Sequence, residues 1–210
     1  DSIWSGATDL KHITISASVE QIATMAFAGL QLRSIAVDPK NAYYDSRNQC
    51  NAIVETATNR LVKGCENTIL DNSLRIIGAY ALANVGWKEI TLPVGIRAVE
   101  AGALANNPFE KITCRGAIPC EMDSTSLDGI NRGISVHVPT GTENAYRATK
   151  VWDEFDVYFE YTPDLEVGDV FECITDEYRL FYCRVVATNG YHKEVAIIPP
   201  EEFRYHFRGT

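Results

Sequence analysis

The sequence predicts an α+β repeat fold in which short units stack into a solenoid, followed by a small antiparallel β-module. The first observation is an apolar phrase whose last position steps from 15 to 37, from 70 to 92 and from 92 to 114, which is 22 residues each time. A second apolar phrase follows at fixed offsets, and the pattern changes near residue 162. A period of roughly 20 to 29 residues is typical of leucine-rich repeats, in which one turn cannot bury its own apolar edge and must stack on a copy of itself. We therefore predict a leucine-rich-repeat solenoid with a parallel β-sheet on one face and short helices or turns on the other.

The first phrase predicts the strands of the parallel sheet. Its apolar residues alternate with the period of two that a half-buried strand requires. The four copies are Leu10-x-x-Ile13-x-Ile15, Leu32-x-x-Ile35-x-Val37, Trp87-x-x-Ile90-x-Leu92 and Phe109-x-x-Ile112-x-Cys114.

The second phrase predicts a short helical segment or turn after the strand. Measured from the last strand position, its apolar residues fall at offsets of 4, 7, 11 and 12 in three units. The third residue is always alanine, which lets adjacent coils approach closely. The copies are Val19, Ile22, Ala26 and Phe27; Leu74, Ile77, Ala81 and Leu82; and Ile96, Val99, Ala103 and Leu104.

One unit is longer than the others. Val37 and Leu70 are 33 residues apart, which is 11 more than one period. The excess predicts a β-hairpin near residues 50–65. The cross-strand pairs that join opposite charges or apolar partners are Glu55 with Arg60, Ile53 with Val62, and Cys50 with Cys65.

The last units depart from the pattern and predict a cap on the open end of the solenoid. The Phe109 unit has no clear second phrase after it. A strand at 134–138 is followed by a helix that Thr142 would N-cap, and Trp152 then closes the apolar end. We therefore predict a repeat domain over residues 1–161 and a small β-module of three or more strands over residues 162–210.

Composition excludes several classes of function. The net charge of −9 leaves no Lys/Arg surface that could neutralise phosphates, so nucleic-acid binding is not expected. No window holds about 18 consecutive apolar residues, so we expect no membrane-spanning segment. The chain begins Asp1-Ser2-Ile3-Trp4 without a methionine or a leader. We expect an exported chain, either secreted or held at the cell surface by a lipid anchor that a removed leader specified, or a trimmed chain.

The six cysteines suggest three pairs, which are Cys50 with Cys65, Cys114 with Cys120, and Cys173 with Cys183. The first pair would meet across the hairpin, either as a disulfide that stabilises the fold by roughly 3 kcal/mol or as two buried thiols. In the second pair, Cys114 holds an apolar strand position and is expected to be a core thiol. The third pair would be in contact across a hairpin of the β-module, with or without a bond. No pair has the C-x-x-C spacing of zinc or thioredoxin-like sites.

No catalytic, cofactor-binding or metal-binding constellation is recognisable. The sequence has no H-E-x-x-H, no i, i+4 histidine pair, no G-x-S-x-G, no P-loop and no G-x-G-x-x-G. Asp38, Asp45 and Asn48 lack the spacing of an EF-hand calcium loop. We therefore expect no enzyme, no metal and no cofactor, while a hydrolase whose Cys and His meet only in space stays an alternative.

A family resemblance rests on three segments. They are Ile13-Thr-Ile15 with Val19-x-x-Ile22 and Ala26-Phe27, the insert from Tyr44 to Cys65, and Val136-His-Val138-Pro-Thr-Gly with Ala145-Tyr146 and Trp152. On these residues the chain resembles the BspA-type leucine-rich repeat family of Bacteroidetes surface proteins over roughly residues 10–155. Residues 165–198 are more weakly similar to a β-module that often precedes another repeat array in that family, which implies a fragment of a longer protein or a lost array.

The resemblance implies an exported or cell-surface, non-enzymatic protein that binds a protein or glycan of a host or neighbouring cell, as in adhesion. A rigid spacer within a larger surface protein is the alternative, and we expect a monomer. Candidate partner-binding residues occupy outward strand positions, because solenoids bind through extended faces, and an aromatic pair in the insert. The same outward positions would equally suit a solvated sheet. The candidates are His12, Thr14, Ser34, Tyr43, Tyr44, Glu89, Thr91, Lys111 and Thr113.

Overall fold

The structure is a computed structural model that describes residues 9–27, 29–162, 170–174, 180–189 and 192–197. The chain divides into two compact units, Asp1–Tyr161 and Thr162–Thr210. The strands, in chain order, are β1 His12–Ile15, β2 Ser34–Val37, β3 Tyr44–Asp45, β4 Ile53–Glu55, β5 Arg60–Lys63, β6 Ile76–Ile77, β7 Glu89–Leu92, β8 Ala98–Val99, β9 Lys111–Cys114, β10 Glu121–Met122, β11 Ser135–Pro139, β12 Val157–Tyr161, β13 Val170–Ile174, β14 Leu180–Asn189 and β15 His192–Ile197.

The first apolar phrase forms parallel strands, as predicted. Strands β1 and β2 pair in register, and β7, β9, β11 and β12 form a second parallel sheet in the spatial order β12-β11-β9-β7. Ile90 lies opposite Ile112, and Leu92 opposite Cys114. These side chains are buried while their neighbours along each strand point outward. The repeats therefore build a solenoid of about 7 turns.

The second apolar phrase forms two-residue strands and turns, so the predicted turn is confirmed and the helical alternative is wrong. Ile77 and Val99 lie in the two-residue strands β6 and β8, which stack in parallel with β5 and β10 on another side of the solenoid. Turns follow in which Tyr80, Asn84 and Asn106 have φ of 57°, 58° and 57°. Left-handed residues interrupt a right-handed helix, so the unit is strand and turn, with little helix.

Small residues let adjacent turns approach, as the sequence indicates. The amide of Leu82 donates to the Ala103 carbonyl at 2.9 Å, and the amide of Leu104 donates to the Ser126 carbonyl at 2.9 Å. The phrase that seemed missing after β9 is present with one extra residue, because Val99 pairs with Met122, 23 positions later. Ser126 therefore takes the alanine position, fully buried and with no hydrogen-bond partner for its hydroxyl.

The inserted hairpin has the predicted turn but a different register. Glu55 lies opposite Arg60, while a bulge shifts Ile53 opposite Lys63 instead of Val62. Cys50 and Cys65 are buried free thiols in different apolar clusters. The expectation that they face each other is therefore wrong, because a bulge changes which face the following residues occupy.

A salt bridge ties the hairpin to the array across two turns. Arg60 Nε donates to Glu100 Oε1 at 3.0 Å, and Glu100 Oε2 accepts the Ala79 amide at 2.8 Å. The guanidinium crosses Gly78, where a Cβ would lie 2.7 Å from Arg60 Cζ. We call Arg60, Gly78 and Glu100 the cross-turn clamp. The hydrogen bond from Arg60 lowers the pKa of Glu100.

A short cap closes the apolar end near residue 150. Helix α1, Glu143–Arg147, is the one α-helix in the described part of the chain. It begins after Thr142, as predicted, but the Thr142 hydroxyl donates to the Pro139 carbonyl at 2.6 Å and does not cap the helix. Glu160 Oε1 accepts the Glu143 amide at 3.1 Å instead. Trp152 is fully buried, edge-on to Tyr146 with ring centroids 5.1 Å apart.

The second unit contains three antiparallel strands in the order β13-β14-β15 among its described residues. The backbone register places Cys183 opposite Phe171 and Cys173 opposite Phe181. The spacing of the two cysteines predicted contact across the hairpin, but they are not direct cross-strand partners. Residues 163–169 lie outside the described residues, and of the predicted boundary Thr162-Pro163-Asp164 only Thr162 is described.

Candidate binding surface

The outward side chains of two parallel sheets, β1-β2 and β7-β9-β11-β12, make up what we call the outer face. Strand register aligns them in two columns. The first contains His12 beside Ser34, then Glu89, Lys111, Ser135 and Val157, and the second contains Thr14 beside Ala36, then Thr91, Thr113, His137 and Phe159. Within each sheet the members of the columns proposed from the sequence are adjacent in space, His12 beside Ser34 and Glu89 beside Lys111, and their role in binding stays a prediction.

Exposure differs along the outer face. His12, Thr14, Glu89 and Thr91 are exposed, whereas Ser34, Lys111 and Thr113 are half-buried between neighbouring strands. Side chains that stand on a sheet face are accessible to a partner without any backbone movement.

Charges along the outer face and its rim are paired. Lys111 Nζ lies 2.6 Å from Glu89 Oε2. At the position before the strands, Arg33 pairs with Glu66 at 3.3 Å and Lys88 with Glu110 at 3.0 Å. Exposed pairs of this kind contribute only about 0 to 1 kcal/mol each to stability. Their larger effect is to leave the outer face without an uncompensated charge at these positions.

The outer face is interrupted between β2 and β7, where residues 66–70 pass without forming a strand. The side chain of Asn51 closes the edge of β2, because its Oδ1 accepts the Ile35 amide at 2.7 Å and its Nδ2 donates to the Arg33 carbonyl at 3.1 Å. On the other side, Trp87 Nε1 donates to the Glu66 carbonyl at 2.7 Å. Ile69 lies in this interruption with 63% of its surface exposed.

The two tyrosines of the insert differ from each other. Tyr43 is 48% exposed, as its proposed role requires, but Tyr44 is only 6% exposed. The Tyr44 hydroxyl accepts the Ile22 amide at 3.1 Å, so this residue joins the insert to the first turn. Tyr44 is therefore too buried to contact a partner, and the prediction for this residue is wrong.

Three outward residues near the end of the array were not proposed from the sequence. Val157 and Phe159 of β12 are 37% and 52% exposed. His137 of β11 lies beside Phe159 with ring centroids 5.2 Å apart. The β-branched and aromatic residues Val157, Tyr158 and Phe159 favour a strand, but three consecutive apolar residues do not show which of them point outward.

The buried thiols do not provide a nucleophile. Burial raises the pKa of Cys114 well above its usual range and raises the pKa of Cys120 to about 12. Both thiols are therefore protonated at neutral pH, and the thiolate is the reactive form. Cys50 follows the same direction, because burial raises its pKa as well. Among the described residues no group of three or more His, Cys, Asp or Glu side chains could hold a metal ion.

One small cavity among the described residues, of about 20 Å³, is lined in part by Leu32, Cys65, Asn84 and Val85. That volume suits roughly one water molecule. No helix in the described part of the chain is both long and apolar enough to span a bilayer.

The comparisons with known proteins agree with a repeat architecture. A family model described as the BspA type leucine rich repeat region matches residues 1–55 and 58–126 in six copies. No curated protein matches the chain. The crystal structure of the pneumococcal vaccine antigen PcpA is similar with a TM-score of 0.39 and 10% sequence identity. That similarity covers 73% of this chain, which spans 56% of the antigen chain.

Proposed function

Because the chain belongs to the BspA-type leucine-rich repeat family, we propose that it is an exported or cell-surface interaction protein and not an enzyme. Its partner is a protein or glycan of a host or neighbouring cell, bound by the outer face in the manner of an adhesin. The observation that carries this proposal is the outer face itself, which aligns outward side chains from four consecutive strands in register.

Physical properties of the outer face support a recognition role. The outward side chains differ from one turn to the next, while the buried positions repeat the same apolar residue types. The sequence differences that could select a partner therefore lie on the surface. The strands beneath are held by in-register pairing and a continuous apolar core, which gives a preorganised surface that loses little entropy on binding. Solenoids generally bind through such extended faces.

Binding to host cells or matrix proteins, measured with the intact chain, tests the proposal. Thr91→Arg places a long cation in the exposed second column and should reduce binding at least about tenfold, because an unpaired charge must be desolvated at the interface. Ser124→Arg, at an exposed turn residue away from the outer face, adds the same side chain and should bind as the parent does. Equal binding by both variants would contradict the assignment of the outer face.

The non-enzymatic part of the proposal is supported by the buried, protonated thiols described above. A panel of peptidase, esterase and glycosidase substrates should show no turnover above background. Turnover that copurifies with the chain through several columns would favour the hydrolase alternative.

A rigid spacer in a larger surface protein is the second candidate. The cross-turn clamp favours it, because a salt bridge across two turns stiffens the array where the inserted hairpin joins it. If the intact chain binds no cell, matrix protein or glycan while remaining folded, the spacer would be preferred over the interaction protein.

A further inference from the structure

The last two strands of the outer face differ chemically from the rest. Outward residues of β11 and β12 are Ser135, His137, Val157 and Phe159, and Thr113 of β9 adjoins them. We call these five residues the aromatic end. We propose that the aromatic end binds a neutral oligosaccharide. This inference rests on the proposed function, since it names the class of partner for part of the same outer face.

The aromatic end presents an accessible apolar platform. Phe159 is 52% exposed and Val157 is 37% exposed. The His137 ring lies 5.2 Å from the Phe159 ring, tilted by 33°, so the two rings extend one surface across neighbouring strands. Single exposed apolar residues need no explanation, but a contiguous group on a flat sheet is typical of a binding site.

Hydrogen-bonding groups border this platform. The hydroxyls of Thr91, Thr113 and Ser135 and the ring nitrogens of His137 belong to outward residues of neighbouring strands. Each hydroxyl can donate one hydrogen bond and accept two, and a neutral imidazole can do one of each. A ligand on the platform would therefore meet donors and acceptors on one side of the rings.

Charge favours an uncharged ligand. The aromatic end contains no Asp, Glu, Lys or Arg, and the nearest charges in the first column, Glu89 and Lys111, are paired at 2.6 Å. Glu160 of β12 turns toward the start of α1, where its carboxylate accepts backbone amides. With a net charge of −9, the protein as a whole repels anions such as sialylated or sulfated glycans.

These properties match the chemistry of a pyranose. One face of the sugar ring carries C–H groups that pack on an aromatic ring, and its edge carries hydroxyls that exchange hydrogen bonds with threonine, serine and histidine. The strands lie about 4.8 Å apart, so consecutive sugar units that cross the strands would meet successive members of the column.

The test uses the intact chain on an array of neutral, sialylated and sulfated oligosaccharides, with a peptide library in parallel and titration calorimetry on the hits. Neutral glycans should bind. Phe159→Ala should weaken that binding at least about tenfold, and Phe159→Trp should preserve it, because a larger aromatic face still stacks. Ile118→Ala removes a side chain that is 56% exposed in the loop after β9 and should bind as the parent does. Thermal melts of each variant confirm that it is folded.

Three outcomes would overturn the inference. They are binding of acidic glycans alone, binding of neutral glycans that Phe159→Ala leaves unchanged, and binding of peptides without any glycan. If peptide binding is the outcome and Thr91→Arg weakens it, the proposed function stands and only the oligosaccharide inference is overturned. If the parent chain binds neither glycans nor peptides nor cells, both the inference and the proposed function are overturned.

Discussion

Replacing Gly78 with alanine tests the cross-turn clamp most directly. The added Cβ would lie 2.5 Å from the Leu61 carbonyl oxygen, 2.7 Å from Arg60 Cζ and 2.9 Å from Arg60 Nη2. Contacts this short cannot persist, so the guanidinium must leave Glu100 and the hydrogen bond from the Gly78 amide to Leu61, 2.9 Å long, must lengthen. The partly exposed ion pair contributes about 1 kcal/mol at most after solvent screening, and the backbone hydrogen bond about 1 kcal/mol.

We therefore expect Gly78→Ala to lower the free energy of unfolding by about 2 kcal/mol. For a chain of this size that corresponds to a fall in Tm of roughly 4 to 8 °C. Thermal and urea unfolding followed by circular dichroism would measure it. Gly133→Ala is a matched control, because its nearest contact is the flexible side chain of Asn131 at 3.3 Å, and its Tm should stay near that of the parent.

A double variant separates the two contributions. In a Glu100→Gln background the charge of the clamp is already lost, so Gly78→Ala should cost less than it does in the parent. A Tm of Gly78→Ala equal to that of the parent would refute the clamp. Equal costs in the two backgrounds would show that the ion pair contributes nothing and that only the backbone contact matters.

Three further predictions follow from the same structure. The hydrogen bond from Arg60 lowers the pKa of Glu100. The contribution of Glu100 to stability should therefore be present above its unfolded pKa and lost as the pH falls through its lowered folded pKa. Acid unfolding curves of Arg60→Met should lack this part of the pH dependence. Asn51→Leu should cost about 1 to 3 kcal/mol, because the Ile35 amide loses its acceptor and leucine tolerates the φ of 54° poorly. Lys63 is 7% exposed and burial lowers its pKa, so Lys63→Met should raise Tm, and the gain should shrink as the pH rises from the folded toward the unfolded pKa of the lysine.

Controls for these predictions are available in the same chain. Asn67→Leu removes an exposed and longer hydrogen bond of 3.4 Å to the Arg33 carbonyl and should cost far less than Asn51→Leu. Lys40→Met changes an exposed lysine and should leave Tm nearly unchanged. A Lys63→Met protein less stable than the parent would mean that the amine has a favourable interaction in the folded state.

The strands of the array were predictable because their signal is local and repeats. Alternation of apolar residues identifies a strand without knowledge of its neighbours, and the period of 22 then aligns Glu89 with Lys111 and Thr91 with Thr113. The period of 22 fails after β9, because one extra residue before Met122 shifts the second phrase out of its expected positions.

The helices predicted after each strand failed for a physical reason. Offsets of 4, 7, 11 and 12 also suit a chain that turns corners around a core, and over so few residues the two cannot be told apart. The distinction lies in the left-handed conformations of Tyr80, Asn84 and Asn106. Asparagine adopts that conformation readily, but tyrosine does not. The residue types at these positions therefore do not predict the left-handed turns.

Long-range contacts account for the remaining errors. The burial of Tyr44 depends on a hydrogen bond to the Ile22 amide in another turn, and the separation of Cys50 from Cys65 depends on a bulge. Neither is encoded in the neighbouring residues. Phe159 was missed because a buried Trp152 resembles the end of a core, whereas the chain returns to the sheet for one more strand.

The alternating charges beside the strands have a consequence for how such an array can change length. In sequence order the rim carries Lys11, Arg33, Glu66, Lys88 and Glu110. Lys11 lies beside Arg33, but from the turn of Arg33 to the turn of Glu110 each turn meets a neighbour of opposite sign. Loss of the single turn that carries Lys88 would leave Glu66 beside Glu110, and duplication of one turn would likewise set like beside like. Loss or gain of two adjacent turns would restore the alternation. Genetic rearrangements that preserve this fold should therefore favour turns in pairs.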